Sequence, residues 1–323
     1  MRAIRYHKSG TPSVLQIDEI KQPEPGPNEV LVKTRAASVN PVDGVVRNLS
    51  QTNHPKTTGS DLAGRVKAVG DGVTTYENGD RVFATGLHAE RFSGGSFADY
   101  VIVPTDLLSP LPKEVSFKEG AAIALVGVTA WRAFINHADI EPGETVLIHG
   151  GNGGVGHIAI QIASLMGASV VATARPKHYS TIREFGADFA FDYTRDDLGK
   201  AIKSECGGVD VILDHFPKRD INTNIDVLNL EGDIVVIAGK EMTISDITSI
   251  RQKEIDLHMM SVTNLVTHRD LPNIGKILTY ISRLLANGQL SVEIDRVYDF
   301  DTAEKAYRAL QEDSIVGKIV VEP

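Results

Sequence analysis

Apolar residues over roughly the first 120 positions fall in short runs punctuated by Gly and Pro: Val30-Leu31-Val32-Lys33, Gly64-Arg65-Val66-Lys67-Ala68-Val69, Asp80-Arg81-Val82-Phe83 and Ala98-Asp99-Tyr100-Val101-Ile102-Val103. Runs this short at this spacing predict strands of a small antiparallel β-barrel. Beyond Lys118 the pattern changes. Continuous apolar strands at 145–148, 169–173, 189–192, 209–213 and 234–238 alternate with helical stretches, one from Gly154 to about Met166 and the next ending at Phe185. That rhythm requires parallel strands joined by right-handed crossovers, hence a doubly wound α/β sheet. A helix over 274–287, a strand over 294–298, a helix over 302–311 and a strand over 317–321 finish the chain. Periodicity does not say which half this last part joins, because chain order does not report docking.

At 323 residues the chain exceeds what a single core supports, so two domains are expected. A net charge of −9, with no long Lys/Arg run, opposes phosphodiester backbones and anionic lipid, so neither nucleic acid nor a membrane surface is an expected partner. No apolar run approaches the roughly 18 residues of a spanning helix, and Met1-Arg2-Ala3-Ile4-Arg5-Tyr6-His7 lacks a signal-peptide apolar stretch. A cytoplasmic location is expected. Cys206 is the single cysteine, so neither an intramolecular disulfide nor a four-sulfur zinc site can form.

The sharpest chemical signal is the strand Val146-Leu147-Ile148 running through His149 and Gly150 into Gly151-Asn152-Gly153-Gly154-Val155-Gly156 and a helix. Gly151, Gly153 and Gly156 hold GxGxxG spacing. The first permits the tight turn, the second lets backbone approach a pyrophosphate, and the third lets helix and strand pack closely, while the helix start offers N–H groups to the anion. The next strand ends in Thr173 and Ala174, about 20 residues on, where an NAD site places an acid for the ribose hydroxyls. Arg175 and Lys177 follow instead, cations suited to a 2′-phosphate, so NADPH is expected as the cofactor. Tyr193, past the third strand, is placed to stack or bond near that phosphate, though packing is an equal reading.

Several segments in order resemble the zeta-crystallin-like quinone oxidoreductases of the medium-chain dehydrogenase/reductase superfamily. They are Ser38-Val39-Asn40-Pro41-Val42-Asp43, Gly59-Ser60-Asp61-Leu62-Ala63-Gly64, Val69-Gly70-Asp71-Gly72-Val73, Gly79-Asp80-Arg81-Val82, Gly95-Ser96-Phe97-Ala98-Asp99-Tyr100, the glycine loop and Gly317-Lys318-Ile319-Val320. The resemblance implies a GroES-like catalytic domain at 1–123 and 267–323, an inserted Rossmann domain at 124–266, and a cleft between them. It implies hydride transfer from NADPH to a quinone, and a homodimer. By resemblance Thr129 contacts the nicotinamide side, Asn40 sits beside nicotinamide and substrate, and Tyr193 lies near the adenosine phosphate; Gly239 and Lys318 are further cofactor candidates. Val45 and Gln51 stand where such enzymes carry substrate-facing tyrosines, which keeps open an NADPH-dependent reductase of α,β-unsaturated aldehydes, ketones or thioesters. A crystallin-like protein that binds NADPH without turnover is the alternative from another class.

The zinc alcohol dehydrogenases are similar in architecture. By that resemblance their zinc ligands fall at Asn40, at Ser60 and near Leu125, none a thiolate or imidazole, so no metal is expected. Hydride transfer needs close approach and alignment more than a nucleophile. The Asn40 amide is the candidate to orient nicotinamide or substrate, against a plainly structural role before Pro41. Asp43 and Asp61 are candidates for a catalytic role in the cleft, with pairing to a neighbouring Arg such as Arg47 or Arg65 the favoured expectation, and His149 and His157 are expected to be packed histidines.

Overall fold

The computed structural model describes residues 1–49, 54–89, 94–268, 270–312 and 315–323, which leaves Gln51 and part of the loop after Leu87 outside the described residues. The chain divides into two compact units, Met1–Val128 with Val262–Pro323, and Thr129–Ser261. These divisions fall five residues from those expected at 123/124 and 266/267, because the helix Phe117–Trp131 runs through the first boundary and Thr263–Thr267 opens the returning segment.

In the first unit, Glu29–Ser38 is the organising strand. It pairs antiparallel with Asp61–Val69 on one side, and on the other with Tyr100–Pro104 at its start and Lys318–Glu322 at its end. The sheet runs on through Arg81–Ala84 to Leu108–Pro110 and, beyond Lys318–Glu322, to the parallel strand Ile294–Asp299. Val320 faces Ser38 in register, so the last strand of the chain is built into the sheet of Glu29–Ser38, while the first strand, Arg2–Tyr6, pairs with Leu15–Glu19 and Lys56–Thr57 in a separate sheet. The helix Ile274–Ala286 belongs to this unit. Asn273 caps it by accepting from Lys276 N–H at 2.9 Å, and Ile274, Ile277, Leu278, Ile281 and Leu285 form its buried stripe. Each such side chain contributes roughly 1.5–3 kcal/mol on burial, which docks the helix without help from its propensity.

The second unit holds six parallel strands in the order Phe189–Phe191, Ser169–Thr173, Thr145–Ile148, Val209–Asp214, Leu228–Val236, Asp256–Met259. That is the doubly wound order 3-2-1-4-5-6, whose direction of winding reverses between Thr145–Ile148 and Val209–Asp214. Leu147, Val171, Ile212 and Ile234 fill the layer under one face together with Ile202, Ile221 and Ile225 from crossover helices.

Several helices have no counterpart in the sequence reading, and two of them carry candidate site residues. Phe117–Trp131 is rich in Gly and β-branched residues, and Gly120 and Gly127 admit close packing, where a Cβ would meet Leu111 at 2.7 Å and Ile281 at 2.9 Å. Pro41–Arg47 starts after Asn40, whose N–H donates to Asp43 Oδ2 at 2.9 Å, and Pro41 opens the first turn.

Candidate functional site

Thr145–Ile148 leads into a loop whose conformation is set from behind. Gly150 has φ +64°, and Gly151 N–H donates to the Thr173 carbonyl at 2.8 Å. A Cβ on Gly156 would lie 2.2 Å from the Gly150 carbonyl oxygen, and one on Gly151 would meet Ile160 at 2.9 Å and Ala172 at 3.0 Å. Gly153 caps the helix Gly154–Leu165, whose first turn, Gly154, Val155 and Gly156, presents N–H groups with no partner inside the helix. Asn152 lies within the loop. Backbone donors, the helix dipole and the missing side chains together form an anion cradle.

A buried polar chain anchors the loop. Gly150 N–H donates to Thr173 Oγ1 at 3.2 Å, and Thr173 Oγ1 lies 3.2 Å from His149 Nδ1. His149 Nε2 is 2.8 Å from Asn224 Oδ1, and Asn224 Nδ2 donates to Asp214 Oδ2 at 2.9 Å. One assignment satisfies every link: the Thr173 hydroxyl donates to Nδ1, and Nε2–H donates to Asn224. Burial raises the Asp214 carboxyl above the ordinary carboxylate value. Thr173 therefore fixes the loop from behind. His157, wholly buried with Nδ1 2.9 Å from the Gly153 carbonyl and its ring against Phe185, is a packed histidine.

Past Ser169–Thr173, Ala174 is buried and Arg175 and Lys177 are exposed, Lys177 in the turn Pro176–His178. Arg175 Nε donates to the Tyr193 hydroxyl at 2.8 Å. The Arg219 guanidinium lies over the same ring, 4.8 Å from its centre, and grips Asp220 with Nε and Nη2. Arg219 was not singled out in the sequence, where an Arg one turn into a helix carries no mark. Gly239, φ +106°, lines a cavity of about 410 Å³ with His215, Phe216, Pro217, Arg219 and Lys240, beyond the carboxyl ends of the fourth and fifth strands of the order. Thr129 is buried at the start of this unit.

Asn40 and Lys318 belong to the first unit, 278 residues apart in sequence. Lys318 Nζ donates to Asn40 Oδ1 at 2.5 Å and to the Val39 carbonyl at 2.8 Å, while Asn40 Nδ2 donates to Asp61 Oδ2 at 2.7 Å. Asp61 also accepts from Ser38 and Thr85. Asp43 accepts from Ser60 Oγ at 2.6 Å, from Asn40 N–H at 2.9 Å and from the Tyr307 hydroxyl at 3.0 Å. The expected pairings of Asp43 with Arg47 and of Asp61 with Arg65 are thus corrected. Arg47 Nε donates to the Gly10 carbonyl and Arg65 to the Gly79 carbonyl, because buried hydroxyls and the Asn40 amide satisfy the two carboxylates. Burial lifts Asp43 to about 6 and also raises Asp61, and it lowers Lys318 against the opposing pull of the two carboxylates. Tyr307 joins from a distant helix and left no signal in the sequence. Val45 is half exposed on Pro41–Arg47.

Residues 154–279 match a family model described as zinc-binding dehydrogenase, and residues 26–113 match the alcohol dehydrogenase GroES-like domain. A human protein named quinone oxidoreductase is 34% identical over 247 residues, 74% of either chain. A solved structure of Escherichia coli quinone oxidoreductase complexed with NADPH superposes with TM-score 0.88 at 26% identity, covering 100% of both chains. A structure described as an NAD-dependent alcohol dehydrogenase superposes with TM-score 0.91 at 29% identity, again over 100% of both chains. No helix among the described residues is long and apolar enough to cross a membrane.

Proposed function

Because the chain belongs to the quinone oxidoreductase family of medium-chain dehydrogenases and reductases, and is an oxidoreductase of that superfamily, we propose that it transfers hydride from NADPH to a quinone without a metal. The observation that carries the choice of NADPH is the pairing of Arg175 with Tyr193 beyond the buried Ala174, where an acid would select NADH. The relative solved with NADPH bound supports the same reading.

The residues present fit such a dinucleotide. A Cβ on Gly151 or Gly156 would collide with Ile160 or with the Gly150 carbonyl, so glycine keeps the loop tight, and the first turn of Gly154–Leu165 would receive the pyrophosphate. Arg175, Lys177 and Tyr193 would hold the ribose phosphate, with Thr129 assigned to the nicotinamide side and Gly239 a further contact to the dinucleotide. When bound, the dinucleotide supplies the hydride. Thr173 and His149 keep the loop in one conformation, so the donors need no rearrangement on binding. Asn40 and Lys318 enter as positioning residues: each satisfies the other, and together they hold Asp61 and the start of Pro41–Arg47. Water delivers the proton to the reduced oxygen in this reading.

The donor set at the positions of the zinc ligands does not fit zinc. An amide, Asn40, and a hydroxyl, Ser60, are each bound to a carboxylate, where zinc takes thiolate or imidazole. The reading includes a cytoplasmic homodimer, which sedimentation of the purified chain addresses.

The experiment is NADPH oxidation by purified protein with a panel of quinones and enones. Turnover with quinones is expected. Turnover with enones alone moves the assignment to an enone reductase, and binding of NADPH without turnover of either makes the chain a dinucleotide-binding protein.

A further inference from the structure

At the edge of the parallel sheet, three ligating side chains converge on one face. Asp233 in Leu228–Val236 is the register partner of Asp256 in the edge strand Asp256–Met259, and His258 follows two residues on, so all three project to the same side. One ligand atom from each lies within 4.8 Å of the others. His258 Nε2 and Asp233 Oδ1 are 2.6 Å apart. The ring of His137, in the helical segment Arg132–His137, lies beside His258, the two ring centres 5.4 Å apart. His137 Nε2 is enclosed and has no hydrogen-bond partner among the described residues.

We propose that Asp233, Asp256 and His258, with His137 as a fourth ligand, form a site for a borderline divalent ion such as Zn²⁺. Two imidazoles and two carboxylates are the donor set such ions prefer over Mg²⁺ or Ca²⁺. Two imidazoles on one tetrahedral ion place their ring centres about 5 Å apart, close to the observed separation. The ion would draw Asp256 in and open the His258–Asp233 contact to the roughly 3.3 Å edge of a tetrahedral site, a movement within reach of side-chain rotation. Asp256 opens its strand whereas the glycine loop follows the end of Thr145–Ile148, and in a parallel sheet these are opposite ends. The ion would therefore tie the edge strand and Arg132–His137 together and take no part in hydride transfer.

The test is calorimetric titration of chelator-treated full-length protein with Zn²⁺. One ion per chain is expected, with affinity reduced roughly tenfold to a hundredfold or more in His258→Gln and in Asp233→Asn. Cys206→Ser should leave it unchanged. A second readout uses the unaltered chain, so it does not depend on the variants folding: ring-nitrogen resonances of His258 and His137 should both shift as Zn²⁺ is added. Absence of binding, binding unchanged in His258→Gln, or resonances that stay in place would each leave these side chains as an ion pair beside a packed histidine and overturn the proposal.

Discussion

The ammonium of Lys318 rests 2.5 Å from the side-chain oxygen of Asn40, and both are buried. The contact ties the last strand of the chain to the segment that follows Glu29–Ser38, since Val320 is already in register with Ser38. Asn40 spends its amide nitrogen on Asp61 and its oxygen on Lys318.

Replacing Asn40 with Ala strips a partner from two buried ions at once. Leaving buried polar groups unsatisfied costs about 1–3 kcal/mol each, so the urea midpoint should fall. Under the positioning role, kcat should also fall by about tenfold or more with KM for NADPH little changed. A lowered midpoint with unaltered kcat would confine Asn40 to stability.

Gly156→Ala is expected to strain the glycine loop. The new Cβ falls 2.2 Å from the Gly150 carbonyl oxygen, a backbone atom that cannot swing aside. The cost should be roughly 1–3 kcal/mol in urea unfolding, together with weakened dinucleotide binding. An unaffected midpoint would mean that the helix shifts to make room.

Selection of the phosphorylated dinucleotide can be read in a single substitution. Arg175→Ala should weaken NADPH binding by roughly tenfold to a hundredfold, the worth of a charge-assisted bond, and leave NADH binding about where it was. Tyr193→Phe removes the acceptor of the Arg175 bond and should show a smaller loss of the same kind. Calorimetry with both dinucleotides decides, and equal losses for the two would remove the phosphate from the explanation.

Acid stability should depend on His88. Burial, helped by Lys56, pushes its pKa down to about 4 from 6.5. Between those values the unfolded chain binds the proton and the folded chain does not. Stability is thus full above about 6.5 and lost as pH falls toward about 4, by a total on the order of 3 kcal/mol. Asp43, raised from 3.8 to about 6, acts in the opposite direction, its contribution falling as pH rises through that window. Subtracting the stability curve of His88→Gln from that of the unaltered chain isolates the histidine. A difference that stays flat from pH 4 to pH 6.5 would contradict the assignment.

Local chemistry was legible wherever one stretch of chain carries it. The glycine loop, its flanking strand and the cation pair after the second strand lie within some thirty consecutive residues, and Gly151, Gly153, Gly156, Thr173 and Arg175 stand in one unit as their spacing implied. The alternation of strand and helix announced the parallel sheet, because period 2 and period 3.6 are properties of sequence alone.

Tertiary structure decided whatever joins residues far apart in the chain. Asp43 bonded to Tyr307, Asn40 to Lys318 and Asp233 to His258 are partnerships that neither composition nor spacing encodes. A hydrogen bond is specified by where two atoms end up, and that depends on which strands pair and which faces they bury. The sequence by itself determined which segments become strands, helices and an anion-binding loop. Folding determined that the last strand of the chain joins Glu29–Ser38 in one sheet, and with it which carboxylates are buried and what satisfies them.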